Sequence, residues 1–500
     1  MSLADLSRHV RPPDPLAPAL LEAVRSLRSA VAAEGAAEFR RWRPWVRRPL
    51  FAASALNLAH YLALRHRDLR PLQRELMRHG ISSLGRLEGR VLVTLDAVAG
   101  VLAGGAPGWP PPERRYFRGE ARLRANAEGL FGPAPRAREG RILVTLGREA
   151  AEDPDHLLRL ARCGADAVRI NCAHDDAAAW TAMLAHTRAA ERATGRRLRV
   201  LMDIAGPKIR TGEVRRPDDD TRLVAGRALL LVPDAAMLAA PGPHEFRAVS
   251  LPGQVLARLV PGAEMAMDDG KLGGVVESCL ADGSVLVRVQ RTRLKGVKLK
   301  PEKGLNFPGT ELGLDPLTER DRADLDFVAH NADLIGYSFV QSERDIARLQ
   351  AELAARRPRD WTTIGLIAKI ETLAAVHNLP QIIVRAAGRQ PFGVMIARGD
   401  LAVEIGFARL AEMQEELLWL CEAAQVPVVW ATQVLEELVT SGLPTRGEMT
   451  DAAMAARAEC VMLNKGPNVE AAITALDGLL RRMAEHQSKK TAQLRALRSW

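Results

Sequence analysis

The sequence predicts an α/β protein: a (β/α)8 barrel with an inserted β-rich domain after its third strand and an α-helical N-terminal extension. Three observations predict it. Eight short apolar runs alternate with helical patterns from residue 141 onward. Residues 213–300 interrupt them with short alternating segments such as RALLLV and SVLVRVQ, set between PGP, PGA, DDG and ADG turns. Residues 1–104 carry apolar side chains at helical spacing.

Within the extension, LLEAVRSLRSAVAAEG and LNLAHYLALRHRDLRPLQRELMRHG each repeat one apolar helix face, and Gly80 is placed to cap the second. GGAPGWPPP, residues 104–112, is a breaker-rich linker. The strand runs are Ile142–Leu146, Ala167–Cys172, Val200–Ile204, Leu334–Val340, Ile364–Ile370, Gly393–Ala397, Pro427–Ala431 and Cys460–Asn464. Between the first two, Asp153 reads as a helix N-cap, Pro154 as the first helical residue and Gly164 as the stop. Removing the insertion leaves about 72 barrel residues before it and about 180 after, near the roughly 250 a barrel needs. The expected segments are 1–138 extension and linker, 139–212 and 301–486 barrel, 213–300 inserted domain, and 487–500 tail.

At 500 residues, 47% apolar and 4% aromatic, the composition is that of a multi-domain globular chain. The apolar stretch Leu50–Leu64 is broken by Asn57 and His60 and falls short of the roughly 20 residues a membrane span needs. MSLADLSRHVRPPD lacks the apolar centre of a signal peptide, and five cysteines without CxxC spacing suit reduced thiols in a cytoplasm. The net charge is +10, yet residues 1–138 hold 23 Arg against 12 Asp and Glu, a balance of +11, so the remainder sums to about −1. The basic excess therefore belongs to the extension. Arg-rich amphipathic helices of this kind are more often solvated faces or docking surfaces, so neither nucleic acid nor a membrane is an expected partner.

In such a barrel the reacting groups stand at the C-terminal ends of strands. Those ends supply Arg169 and Asn171, Asp203, Lys369 and Glu371, Arg398 and Asp400, Thr432, and Asn464 with Lys465. Carboxylates, cations and a hydroxyl converging from six strands suit a metal-and-anion site better than an acyl-transfer triad. Lysine is scarce, ten against sixty Arg, so a lysine inside the apolar run GLIAKIE is informative. Lys369 and Glu371, two apart on a strand, point to one side, where an ammonium beside a metal-binding carboxylate suits phosphoryl transfer. The same spacing also suits a structural ion pair. Asp400 reads equally as a partner of Glu371 around Mg²⁺ or as a helix N-cap, and Thr432 alone reads as a strand-end hydroxyl. Arg169 is placed to clamp a phosphate or carboxylate. GxxxxGK[ST] is absent, so a nucleotide would be held by other means.

Residues 141–478 resemble pyruvate kinases. The resemblance rests on RINCAH (169–174), LMDIAGPKIRTG (201–212), the MDDG turn (267–270), EKGLNFPG (302–309), SFV (338–340), AKIE (368–371), MIARGDLAVEI (395–405), ATQVLEELVTSGLPTRGEMTDAA (431–453) and CVMLN (460–464), in family order. It implies phosphoryl transfer from phosphoenolpyruvate to ADP, giving pyruvate and ATP as in glycolysis, by a cytoplasmic homo-oligomer. Lys369 would neutralise the migrating phosphoryl group, Glu371 and Asp400 would hold Mg²⁺ or Mn²⁺, and Arg169 would bind phosphate. Arg210 and Lys303 would approach the nucleotide, Asp269 would sit on the lid, and Thr432 would assist enolate protonation. The backbone at Gly399 and Asp400 would receive the substrate carboxylate.

Several positions depart from the family pattern. Asn171 and Asp203 of the potassium site remain, but Ala173 replaces a Ser. Lys208 stands where potassium-dependent members carry Glu, so a fixed ammonium is expected to replace K⁺ and activity to need none added. Asp175 replaces a Gly, Arg148 replaces a Pro, and NKGPN (464–468) replaces Gly-Glu-Thr. The last barrel helix ends about 20 residues before residue 500, so the family's C-terminal effector domain is expected to be absent. Two other readings remain open at this stage. One is a metal-dependent enolate enzyme of the same barrel class, against which Lys369, Arg210 and Lys303 argue. The other is a catalytically weak regulator that binds phosphoenolpyruvate or nucleotide.

Overall fold

The structure, a computed structural model, describes residues 17–105, 109–218, 221–239 and 246–492. Parts of the expected N-terminal helix region, linker and tail lie outside them. Three parallel strands come first: β1 Arg141–Thr145, β2 Ala167–Asn171 and β3 Arg199–Ile204. Seven further strands follow: β4 Arg210–Arg215, β5 Ala228–Val232, β6 Arg247–Leu251, β7 Glu264–Met267, β8 Leu272–Cys279, β9 Val285–Thr292 and β10 Leu305–Asn306. The chain then returns through β11 Leu334–Tyr337, β12 Gly365–Ile370, β13 Phe392–Ala397, β14 Val428–Ala431 and β15 Cys460–Leu463. β1, β2, β3 and β11 to β15 close into an eight-stranded parallel barrel. Helices cover its outside, which is why its strands read as apolar runs without alternation.

β4 to β10 form a separate seven-stranded sheet in the order β10-β7-β8-β9-β5-β6-β4. Its core includes Leu229, Leu231, Met267, Val287 and Val289. Its entry and exit are tied together: Thr211 N donates to Lys303 O at 2.8 Å and Lys303 N to Thr211 Oγ1 at 2.9 Å.

The extension contributes helices Pro18–Trp42, Pro49–Arg65, Arg70–Arg78, Val91–Leu102 and Arg118–Phe131. Val24, Val31, Leu58 and Leu95 join the same apolar core as the barrel helices. Leu130 and Phe131 pack with Leu143, Leu201, Leu334, Ile367, Met395 and Val429 inside the barrel. Two glycines make room for them. A Cβ at Gly365 would stand 2.8 Å from one Leu130 methyl, and one at Gly393 would stand 3.2 Å from the other. Burying such a leucine contributes about 2–3 kcal/mol. Polar ties add direction: Asn57 Nδ2 donates to Ala423 O at 2.8 Å, and Arg48 Nη1 to Gln390 O at 2.7 Å. No helix among the described residues is long and apolar enough to cross a membrane.

Local expectations differ at several points: the run 56–80 forms two helices broken at 66–69, and the inserted sheet reaches from Arg210 to Asn306 rather than spanning 213–300. The helix expected from Pro154 begins instead at His156, after a four-residue helix Glu149–Glu152. Asp153 Oδ1 accepts from Asp155 N at 2.9 Å, a side-chain-closed turn that moves the start downstream; Gly164, at φ 120, ends the helix as expected. β11 stops at Tyr337 rather than Val340 because Phe339 turns left-handed, at φ 55. Gly80 takes φ 68 just beyond Arg70–Arg78, and Ile81 N closes that helix on Leu76 O at 2.9 Å.

Candidate active site

The C-terminal ends of β3, β11 and β12 bring Asp203, Ser338, Lys369 and Glu371 together. Lys369 Nζ lies 3.0 Å from Glu371 Oε1 and 3.5 Å from Asp203 Oδ2, and donates to Ser338 Oγ at 2.9 Å. Ser338 Oγ in turn donates to Ile204 O at 2.8 Å. Register explains the convergence: Gly336 pairs with Asp203 across β11 and β3. A Cβ there would meet Asp203 Oδ1 at 2.6 Å, so the glycine leaves space for the carboxylate.

Arg169 completes the group from β2, its Nε and Nη2 lying 2.8 and 2.5 Å from Asp203 Oδ2. Burial alone would raise Asp203, but Lys369 and Arg169 outweigh it and hold its carboxyl below the usual range. Burial would strip the proton from Lys369, and Asp203 and Glu371 reverse that, so its ammonium is held charged. Glu371 goes the other way. Burial raises its carboxyl, Lys369 opposes this, and the neighbouring Asp400 charge adds to the rise. Its Oε2 accepts from Phe339 N at 2.6 Å, and this bond uses the left-handed turn at Phe339.

Asp400 stands in the first turn of the eight-residue helix Arg398–Ile405 that follows β13. The first-turn amides of a helix lack internal acceptors, so those of Gly399 and Asp400 face outward as donors. Thr432, at the end of β14, is β-branched yet adopts φ 71. Such a conformation costs about 1–3 kcal/mol and is held by its surroundings. Arg398 Nη2 donates to Thr432 O at 2.6 Å, and a Cβ at Gly399 would lie 2.7 Å from the Thr432 methyl. Arg398 itself turns away from the mouth. It pairs with Asp451 at 2.8 Å and lies 4.6 Å over the Trp430 ring, so it braces β14 rather than joining the converging charges.

Lys208 departs from its expected neighbours. Asn171 and Asp203 do pair across β2 and β3, but Asn171 Oδ1 accepts from Ala173 N at 3.2 Å. The Lys208 ammonium goes instead to Asp400, at 3.1 Å from Oδ1. The reason is electrostatic. Arg169 and Lys369 already neutralise Asp203, whereas Asp400 offers an unmatched carboxylate.

A cleft of about 940 Å³ opens between the barrel mouth and the inserted sheet, lined by His174, Lys208, Arg210, Gln254, Glu302 and Arg320 among others. Arg210 Nη1 donates to Glu302 O at 3.3 Å. Lys303 Nζ binds Asp268 Oδ1 at 3.1 Å, while Asp269, the expected lid residue, is exposed beside it. His174 is held below the usual range by burial and by the charges of Lys465 and Arg210. Arg148 and Asp175, two of the departures, pair with each other at 3.3 Å. Asp175 takes φ 61, the conformation for which the family's glycine is suited and which Asp tolerates.

Residues 137–471 match the family model described as the pyruvate kinase barrel domain. The chain belongs to the pyruvate kinase family. It is 33% identical over 340 residues to a pyruvate kinase of Agrobacterium vitis, covering 65% of each chain. It is 34% identical over 333 residues to one of Methylorubrum extorquens, covering 66% of this chain and 64% of the relative. The chain therefore spans just under two thirds of the length of these relatives. Among solved structures it resembles a pyruvate kinase from Cryptosporidium parvum, with a TM-score of 0.61, 27% identity, and coverage of 71% of this chain and 72% of the other.

The sequence pattern singled out Lys369, Glu371, Asp203 and Arg169, which do converge. It missed Ser338 as the hydroxyl between Lys369 and Ile204 O, although SFV was among the resembling segments. It also missed Phe339, whose contribution is a backbone amide and leaves no side-chain signal.

Proposed function

We propose that the protein transfers the phosphoryl group of phosphoenolpyruvate to ADP, forming pyruvate and ATP. The observation that carries this reading is the charged Lys369 ammonium fixed between Glu371 and Asp203 at a barrel mouth. A permanent positive charge there stabilises the anionic transferring group without reorganisation. Arg169, oriented by Asp203, supplies a second cation for the phosphate, and Arg210 with Lys303 at the lid hinge supplies charge for the nucleotide. The outward amides of Gly399 and Asp400 suit the substrate carboxylate.

Glu371 and Asp400 fit a hard divalent cation, Mg²⁺ or Mn²⁺. They are two carboxylates just beyond the ends of neighbouring strands, Glu371 raised chiefly by burial and further by the Asp400 charge, and such a cation takes one or two carboxylates with substrate oxygens. When bound it would supply Lewis-acid neutralisation of charge on the substrate oxygens. Lys208, 3.1 Å from Asp400 Oδ1, places a fixed ammonium beside that carboxylate. Asp203 is neutralised by two fixed cations, so the reading includes no requirement for K⁺. The inserted sheet acts as the lid that keeps water from the phosphoryl group. The Thr432 hydroxyl, held against Gly399, serves the proton that completes pyruvate. A cytoplasmic homo-oligomer is part of the same reading.

The test is a coupled assay with phosphoenolpyruvate, ADP and Mg²⁺. Pyruvate formation that requires ADP supports the reading. Binding of phosphoenolpyruvate without turnover would replace it with the regulator.

A further inference from the structure

Lys208 stands between the end of β3 and the start of β4, on the first of the two connections that join the barrel to the inserted sheet. Its backbone is held there. Lys208 N donates to Gly206 O at 3.0 Å, and Gly206, at φ 67, lies so close to the barrel that a Cβ would meet the Phe339 ring at 2.9 Å. Its stem crosses the second connection, where a Cβ at Gly304 would stand 3.3 Å from Lys208 Cε. Guided in this way, the ammonium reaches the barrel mouth and ends 3.1 Å from Asp400 Oδ1 and 3.5 Å from Oδ2.

Each carboxylate at the mouth has a partner of its own. Asp203 Oδ2 takes Arg169 at 2.5 Å and Lys369 at 3.5 Å. Glu371 takes Lys369 on Oε1 at 3.0 Å and the Phe339 amide on Oε2 at 2.6 Å. Asp400 has Lys208, its one ion-pair partner among the described residues. A divalent cation bound by Glu371 and Asp400 must therefore take oxygens that ammonium groups already hold. The two lysines differ in how firmly they are placed. Lys369 is 12% exposed and shared among Glu371, Asp203 and Ser338. Lys208 is 27% exposed, has Asp400 alone, and lines the open cleft into which a flexible four-carbon stem can withdraw.

Given that Glu371 and Asp400 hold the ion, we propose that Lys208 is a positioning residue that sets the divalent-cation affinity of the mouth, its ammonium competing with the ion for Asp400 Oδ1. Two cations on one partly buried carboxylate repel each other strongly, even at an effective dielectric of about 20, and water screens them incompletely. The metal alone is thus bound weakly, because its entry costs the Lys208–Asp400 contact.

The experiment is titration of the full chain with Mn²⁺ alone, free Mn²⁺ being read from its electron paramagnetic resonance signal. Lys208→Met and Lys208→Gln are each expected to bind the ion at least about tenfold more tightly than the parent, or about 1.4 kcal/mol. A merely structural role does not produce this result, since a damaged site loses affinity. Arg320→Met removes a cation that lines the same cleft but pairs with Asp324 at 3.8 Å, and it is expected to stay within about twofold of the parent. Circular dichroism identifies which Lys208 variant is folded, and either one suffices. Parent-like or weaker binding in a folded Lys208 variant would overturn the proposal, as would an equal gain in Arg320→Met. Asp400→Asn separates this failure from failure of the metal site. If it weakens Mn²⁺ binding while Lys208→Met leaves it unchanged, the ligand assignment stands and the competition alone is refuted. Absence of Mn²⁺ binding to both the parent and Lys208→Met up to about 10 mM would overturn both.

Discussion

Replacing Lys369 by Met removes the ammonium while keeping most of the side-chain volume. Lys369 Nζ is 3.0 Å from Glu371 and 3.5 Å from Asp203, with both carboxylates buried. At an effective dielectric of about 20, an ammonium about 4 Å from one unit of developing charge contributes about 4 kcal/mol. That corresponds to about a thousandfold in rate. Folding suffers as well. Breaking a buried pair by removing one partner costs about 3–5 kcal/mol. The lower end applies here, because Arg169 still compensates Asp203 and Phe339 N still donates to Glu371. The coupled pyruvate assay at saturating phosphoenolpyruvate, with a urea melt on the same preparation, reads both quantities. A loss of tenfold or less in kcat, with the variant folded, would refute a role for this amine at the transferring group.

Other outcomes follow from the same geometry. Turnover in Tris or choline buffer is expected to lie within about twofold of that with K⁺, because two fixed cations hold Asp203; strict dependence on K⁺ would show that charge balance to be wrong. Gly399→Ala drives a Cβ to 2.7 Å from the Thr432 methyl, and a fall in kcat of about tenfold or more is expected in the same assay. For Glu422, pH sets the stability. Its folded carboxyl lies near 7 against an ordinary 4.5, so the folded state keeps a proton the unfolded chain releases between those values. Stability therefore falls as pH rises through this window, and above about 7 the full penalty of about 3 kcal/mol applies. Glu422→Gln should be more stable than the parent at pH 8 and nearly equal to it near pH 4, as read from urea midpoints. A gain of the same size at both pH values would remove the ionised carboxylate as its cause.

The barrel was legible because each strand is buried on both faces, which forces contiguous apolar runs such as VLMDI and FGVMIA. The charges at the strand ends were legible for the converse reason: Lys369 and Asp203 stand out against apolar neighbours. What stayed hidden depends on backbone direction. The left-handed turn at Phe339 ends β11 early and aims an amide at Glu371, yet Phe is not a residue that announces such a turn. The Asp153 turn delayed a helix by closing on Asp155 N, a choice that an N-cap pattern does not distinguish. Lys208 was marked by its residue type, but its partner depends on which of two carboxylates is left unneutralised, and that is a property of the assembled mouth.

The leucine that enters the barrel floor from the helix ending at Phe131 changes what the extension is. A barrel sealed by its own side chains would keep its floor closed if the preceding helices were removed. Here Gly365 and Gly393 supply no side chains of their own, so excising those helices would leave a hole into which water could rise beneath β12, the strand that carries Lys369, and its neighbour β13. Shortening the protein from its N-terminal side would thus be felt at the mouth, through loss of the stopper rather than of any group that meets a substrate.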